Sequence, residues 1–403
     1  MAGQNGKPPS SNEKAFAFNN FMCIMGLLTK YDLMDRYYIK MKLYRLFILA
    51  VINIAFYSSM GFIFLQEHTE PRNGLILATH LVYCSLNYAY VVTALLFAVL
   101  TYKQKKVSEN LVSLEQIKEE GMITRRSLNV KLEETCTTEA SDIMVICLTM
   151  TIAYTLDFYA SKSFSSTPGF CLTNYYAYTL CTFVDYTMIL LLRQISEEFR
   201  LIRATLKTLL ANRNDPVVSF VSVGDGVKMD ATERWIRVKS LFKLYKKCVA
   251  YSAEINEIYS FQKILSISLS FVLVITFLFL GSLLIIHRTR RMMSDYEFGL
   301  TFCNVIVMIV MQLVKLMCII AACSNARTQA DKILHLGRKV VVEDRCPELS
   351  YELSFLLGIL EEDRVELTAH DFFSIDYSLF VSFIGAATTY WVIMMQFQLT
   401  HNA

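Results

Sequence analysis

The chain has 403 residues, of which 54% are hydrophobic and 13% aromatic, with 14 Gly, 6 Pro and a formal net charge of +3. So small a charge gives no reason to expect nucleic acid as a partner. Apolar residues gathered into runs of about 20, the length a ~30 Å hydrocarbon layer demands of a helix, exclude a soluble domain: this is an all-α membrane protein, with the lipid bilayer as its first partner.

Residues 1–14 are polar, and Ala15 to Leu28 is amphipathic and broken by Asn19 and Asn20. That pattern argues against a cleavable signal peptide, so 1–43 read as a cytoplasmic amino-terminal segment. Seven transmembrane helices follow: Tyr44–Gln66, Gly74–Tyr102, Asp142–Ser161, Cys171–Gln194, Ile264–His287, Phe298–Cys323 and Tyr377–Leu399. The connections over 67–73, 162–170 and 288–297 are short, whereas 103–141, 195–263 and 324–376 are long. One side of the membrane therefore holds nearly all the extramembranous protein.

Lys40, Lys42 and Arg45 stand at the start of the first span and Lys103, Lys105 and Lys106 follow the second, against Arg72 alone between them. This places the amino terminus and the long connections inside, although Arg288, Arg290 and Arg291 run against it. Seven crossings then leave the carboxyl terminus extracellular, opposite to the G-protein-coupled receptors. The long connections do not read as disordered. Val107, Leu111, Leu114 and Ile117 recur at helical spacing, and Thr232 to Leu265 carries dense apolar positions with Lys243, Lys246 and Lys247 facing elsewhere. Only Asn212 to Asp230 looks like a flexible linker. The helices are expected to run on past the bilayer into a helical cytoplasmic region, with 324–376 as an anchor segment. Spans one to six occupy 44–323, and 377–403 hold the seventh span and a short tail.

The 11 cysteines are spread singly, with no CxxC pair and no His pair at metal-ligand spacing, so neither metal nor cofactor is implied. Cys171 and Cys303 both fall near outer helix ends, where a bridge is open to them, but most cysteines sit in apolar runs as small hydrophobes. No GxSxG, HExxH or phosphate loop supports an enzyme.

A polar side chain in hydrocarbon is costly unless it faces protein or water, so each one asks for a partner. His80, Tyr83, Asn87 and Tyr90 share one face of the second span, and Asn174, Tyr178, Cys181 and Asp185 one face of the fourth. The third span has Tyr154, Asp157 and Phe158 near its outer end. The sixth has Thr301 and Asn304, then Gln312 and Lys315 deeper, with Lys315 close enough to the inner face to snorkel. These groups either hydrogen-bond across helix contacts or converge on an outward-facing pocket for a small organic ligand. In such a pocket an ionised Asp157 favours a cationic or polyhydroxyl ligand; otherwise it is protonated or paired with His80. In the seventh span Ser378, Ser382, Gly385, Thr389, Ile393, Gln396 and Thr400 make one narrow stripe of small and polar residues. That stripe suits either tight helix packing or the wall of a water-filled path.

Thr389-Tyr390, five residues, then Gln396-Phe397 matches the TYxxxxxQF signature of insect gustatory receptors at the end of their last helix. The approach from Leu367 through Phe372-Phe373 to Asp376 also resembles that family, with Asp371 where a Gly usually precedes the paired Phe. The resemblance implies a homotetrameric, non-selective cation channel in the plasma membrane of gustatory sensory neurons, opened by a small-molecule tastant. The seventh helices would line a central pore for permeant cations, with Phe397 in a hydrophobic constriction and Gln396 swinging toward the pore on opening, beside Ile393 and Thr389. Ligand would sit in the outer half among His80, Tyr83, Asn87, Tyr90, Tyr154, Asp157, Phe158, Asn174, Tyr178 and Asn304. Many sugar receptors of the family carry an acidic residue after the Thr-Tyr pair, where Trp391 stands here. This favours a bitter or other plant compound, with a fructose-type sugar as the alternative. A G-protein-coupled receptor would be expected to carry Asp-Arg-Tyr or Asn-Pro-x-x-Tyr elements, and neither occurs.

Overall fold

A computed structural model gives the structure of the chain over 139–161, 168–211, 231–289, 294–343 and 364–401, with scattered positions at 47, 51, 54, 58, 116, 117, 119–121, 354, 357 and 358. The second span, most of the first and the 212–230 linker lie outside the described residues.

Five long helices account for almost all of the described chain: α1 (Glu139–Ser161), α2 (Pro168–Ala211), α3 (Ala231–Thr289), α4 (Asp295–Glu343) and α5 (Tyr377–His401). They contain the third to seventh spans expected from the sequence. Pro168 opens α2 where its missing N–H is harmless, and Pro is absent from the interior of every one of these helices. Ser294 and Glu297 close a capping box on α4: the Glu297 N–H donates to Ser294 Oγ and the Ser294 N–H donates back to Glu297 Oε2, each at 3.3 Å.

Length shows which helices outgrow a bilayer. At 1.5 Å per residue the 59 residues of α3 reach about 88 Å and the 44 of α2 about 66 Å, against ~30 Å of hydrocarbon. Among the described residues, helices within Ile236–Ile286, Asp295–Lys339 and Tyr377–Thr400 are long and apolar enough to cross a membrane. Beyond the apolar part of α3, Leu241, Phe242, Leu244, Tyr245 and Cys248 are buried while Lys243 and Lys246 are exposed. The rings of Phe199 on α2 and Tyr245 on α3 lie 5.5 Å apart there. Ile117 joins the same core, and Glu120 pairs with Lys247 at 2.6 Å.

Helices α2, α3 and α4 pack on one another, α1 lies mainly against α4, and α5 leans on α3. Phe271 of α3 meets Phe383 and Tyr390 of α5 edge-on at 5.4 and 5.9 Å. The Trp391 indole N–H donates to Ser282 Oγ at 2.9 Å, which fixes the rotation of α5.

Among the described residues, one hairpin departs from the helical pattern. Thr368–Ala369 (β1) and Phe373–Ser374 (β2) pair antiparallel with Thr368 opposite Ser374 and Ala369 opposite Phe373. Between them His370 and Asp371 adopt φ of 50° and 58°. This left-handed region favours glycine, in keeping with the Gly expected from the sequence resemblance where Asp371 stands. Here Asp371 tolerates it by local bonding, accepting from Thr368 Oγ1 at 2.9 Å. Asp376 then caps α5, accepting at Oδ1 from the N–H groups of Ser378 at 2.9 Å and Leu379 at 3.3 Å.

Candidate functional site

At the end of the bundle that the sequence reading assigns to the outside, α1, α2 and α4 bring their polar residues together. Tyr154 of α1 stacks on Tyr175 of α2 with ring centroids 4.5 Å apart. Its hydroxyl meets Thr179 Oγ1 at 2.8 Å and donates to the Tyr175 carbonyl at 3.1 Å. One turn further out Asp157 accepts from both neighbours, at Oδ2 from the Tyr175 hydroxyl (2.7 Å) and at Oδ1 from Asn304 Nδ2 (2.9 Å). Asn304 Oδ1 and Thr301 Oγ1 are buried without a hydrogen-bond partner among the described residues.

Deeper, Tyr178 is buried and edge-on to Tyr154 at 6.3 Å. Its hydroxyl accepts from Gln312 Nε2 at 2.8 Å, and Gln312 Oε1 accepts from Ser270 of α3 at 3.0 Å. The next layer is charged: Lys315 Nζ stands 3.3 Å from Asp185 Oδ2, with the two side chains 7% and 4% exposed. The contact lacks hydrogen-bond alignment and is Coulombic. Asp185 Oδ2 also accepts from Ser266 Oγ at 2.5 Å.

Tyr154, Asp157, Tyr178 and Asn304 therefore converge: Asn304 donates to Asp157, Tyr178 lies edge-on to Tyr154, and Tyr175 links the two pairs. Phe158 does not join them: it is 40% exposed with its ring edge-on to Tyr159. His80, Tyr83, Asn87 and Tyr90 lie outside the described residues. Asn174 falls on α2 one turn before Tyr178, with its side chain outside them. Lys315 does not snorkel to the inner face as expected, because Asp185 of α2 and the Tyr178 ring, 5.9 Å from Nζ, supply a partner inside the bundle. Asp157 accepts from Tyr175 and Asn304, and His80, its other expected partner, lies outside the described residues. Cys303 is a free thiol, so it takes part in no bridge.

Sequence reasoning missed Tyr175, Thr179, Ser266 and Ser270. Ser266 and Ser270 stand four residues apart in the fifth span, so the periodicity test that picked out the other stripes would have found them. A separate groove of about 620 Å³ lies toward the opposite end, lined by Arg193, Met317, Ala321, Asn325 and Tyr377 among others. Arg193 there pairs with Asp142 at 3.0 Å.

Helix α5 has two unlike faces. Phe383, Ala387 and Gln398 are buried. Ser378, Ser382, Gly385, Thr389, Ile393, Gln396 and Thr400, the stripe read from the sequence, are all exposed, and Phe397 beside them is 68% exposed. The hydroxyl of Thr389 donates to the Gly385 carbonyl at 2.9 Å and that of Thr400 to the Gln396 carbonyl at 2.5 Å.

Residues 21–401 match the family model described as 7tm chemosensory receptor. Among solved structures, the chain is similar to the insect olfactory receptor OR5 from Machilis hrabei at 11% identity, with 96% of this chain and 98% of that one covered and a TM-score of 0.57. The same receptor in complex with eugenol aligns at 11% identity over the same shares, with a TM-score of 0.47. At that identity the likeness is one of fold. No curated protein matches the chain.

Proposed function

The chain belongs to the 7tm chemosensory receptor family, and from that premise we propose that it is a gustatory receptor acting as a tastant-gated, non-selective cation channel. In this reading seven helices cross the plasma membrane of a sensory neuron, the amino terminus is inside and the carboxyl terminus outside. Four copies assemble through an anchor made by the inner ends of the long helices and 324–376. Their α5 helices surround a central pore. The observation that carries the proposal is the asymmetry of α5: one face is locked to α3 through Phe271 and Ser282, while the face bearing Thr389, Ile393, Gln396 and Phe397 is left uncovered in a single chain.

A ring of Phe397 side chains would close such a pore by dewetting, and the adjoining Gln396 amide would give it a hydrated lining after a modest rotation. Ligand would bind at the outer ends of α1, α2 and α4, beside Tyr154, Asp157, Tyr178 and Asn304. Because Asp157 already accepts from Tyr175 and Asn304, the cluster suits neutral hydroxylated plant compounds better than a bare cation. Stacked tyrosines suit flat molecules, which favours a bitter or other plant compound over a fructose-type sugar.

The test is Phe397→Ala. In cells expressing the chain alone, current without any ligand should rise while surface protein is unchanged. Wild-type basal current at normal surface expression would remove Phe397 from the constriction and with it the pore assigned to α5.

A further inference from the structure

Asp185 and Lys315 carry opposite charges in the apolar lengths of α2 and α4, where ionised groups are costly to keep and an apolar pair of similar volume would pack as well. Stability alone does not explain them. Their surroundings suggest a role, because the pair shares a residue with the outer cluster. Tyr178 places its ring 5.9 Å from Lys315 Nζ, accepts from Gln312, and lies edge-on to Tyr154. Tyr154 in turn stacks on Tyr175, whose hydroxyl donates to Asp157. On the inner side Asp185 accepts from Ser266 and Gln312 accepts from Ser270, so both charge-bearing helices are tied to α3 at this level. Helix α3 carries Phe271 and Ser282, the contacts that hold α5.

We propose that Asp185 and Lys315 are positioning residues for gating: the pair holds α2 and α4 together in the resting arrangement, and a ligand bound at the outer cluster acts on it by displacing Tyr178. The inference rests on the channel reading above. Tyr178 is buried among Tyr154, Gln312 and Lys315, so a ligand that pulls on its hydroxyl or moves Tyr154 shifts it against the Gln312 hydrogen bond and the Lys315 ammonium beside its ring. Interaction between buried charges weakens steeply with separation and with water entry. A small displacement of Tyr178 therefore has a large effect one layer in, and a ligand shifts the equilibrium only by such a difference between states.

Removing one charge strands the other in the bilayer, so the informative variant removes both: Asp185→Leu together with Lys315→Met. Currents without ligand are recorded by voltage clamp from cells expressing the full chain and normalised to surface protein. Phe397→Ala serves as the control for the channel itself. The double variant should reach the surface and raise the ligand-free current about 5-fold or more. Tyr178→Phe should raise it in the wild-type background and add nothing in the double variant. The inference is overturned if the double variant conducts like wild type, if Tyr178→Phe acts equally in both backgrounds, or if the double variant is lost from the surface, since the pair is then a folding brace. If Phe397→Ala also gives no current, the channel reading itself has failed; if it leaks while the pair variants do not, only this inference has.

Discussion

The hairpin that precedes α5 buries Leu367, Ala369 and Ile375 and is pinned by one polar side chain, whose removal tests how α5 is held. Asn256 of α3 accepts the Thr368 N–H at Oδ1 (3.0 Å), donates from Nδ2 to Thr368 Oγ1 (3.3 Å), and accepts from the Lys263 ammonium. Lys263 is only 2% exposed, so it has almost no access to water if this partner goes. Asn256→Ala would leave a half-buried N–H and a buried amine unmatched. A buried group left unpaired costs about 1–3 kcal/mol and a charged one more, so the loss should be about 3 kcal/mol in total. At the ~2 cal/mol/K per residue entropy of unfolding, a chain of about 400 residues loses roughly 1 °C per kcal/mol, so the midpoint should fall by about 3–4 °C. Thermal unfolding of the detergent-solubilised chain, followed by fluorescence size-exclusion, reads this directly. Lys263→Met removes the stranded amine, and in combination with Asn256→Ala it should recover about half of the loss. If Asn256→Ala shifts the midpoint by less than about 1 °C, or Lys263→Met restores nothing, the hairpin is held by Leu367, Ala369 and Ile375 alone and the clamp argument is wrong.

Three further outcomes are expected. Asp371→Val should destabilise by about 1–2 kcal/mol because φ at this position is left-handed, whereas Asp371→Gly should be nearly neutral; equal effects in the same thermal assay would contradict the backbone argument. Asp376→Ala should cost about 1 kcal/mol through the lost cap. Hydrogen bonds led by the Ser378 hydroxyl hold the Asp376 carboxyl below its ordinary range. Its folded pKa is thus depressed, and its contribution is complete above the ordinary carboxylate pKa and fades as pH falls through the folded value. Asp376→Asn should retain the cap without that acid dependence, as a thermal midpoint series across the carboxylate range would reveal. Gln396→Leu should lower the ligand-evoked or Phe397→Ala leak current at unchanged surface protein if the amide wets the pore; unaltered current would place it outside the path.

Much of the fold was legible because long apolar runs without internal Pro leave helix as the only way to satisfy the backbone in hydrocarbon. The run-on of α2 and α3 was visible too, since Leu241, Phe242 and Tyr245 keep a helical period beside exposed lysines. The hairpin was not legible. Two-residue strands have no periodicity to read, and the trace of the turn in the sequence is Asp371, where the resemblance leads one to expect a glycine. Of the site, the sequence singled out Tyr154, Asp157, Tyr178 and Asn304, which the structure brings together, and Phe158, which it leaves exposed, but a helical period cannot say which helices face one another. That is why Lys315 was sent toward the interface when Asp185, on another helix and far off in sequence, was waiting within the bundle. Tyr175 escaped because its neighbour Tyr178 already accounted for the stripe.

The two readings of the α5 stripe can be separated by counting which of its polar groups still need a partner. Thr389 and Thr400 have returned their hydroxyls to carbonyls one turn back, and Ser378 bonds to Asp376, so these three would tolerate lipid. Gly385 and Ile393 make no demand at all. Among the described residues Ser382 and Gln396 remain without a protein partner, and an amide has two donors as well as two acceptor lone pairs to satisfy. A hydroxyl left unpaired in hydrocarbon costs a few kcal/mol and an amide more. Packing against a second apolar helix would leave that deficit in place, whereas water removes it. The phenylalanine beside Gln396 then has a reason to be exposed: an apolar ring next to an amide that needs water is the combination that lets one small rotation dry or wet a passage. Of the seven residues in the stripe, only Ser382 and Gln396, and chiefly Gln396, thus distinguish a water-lined α5 from a packed one.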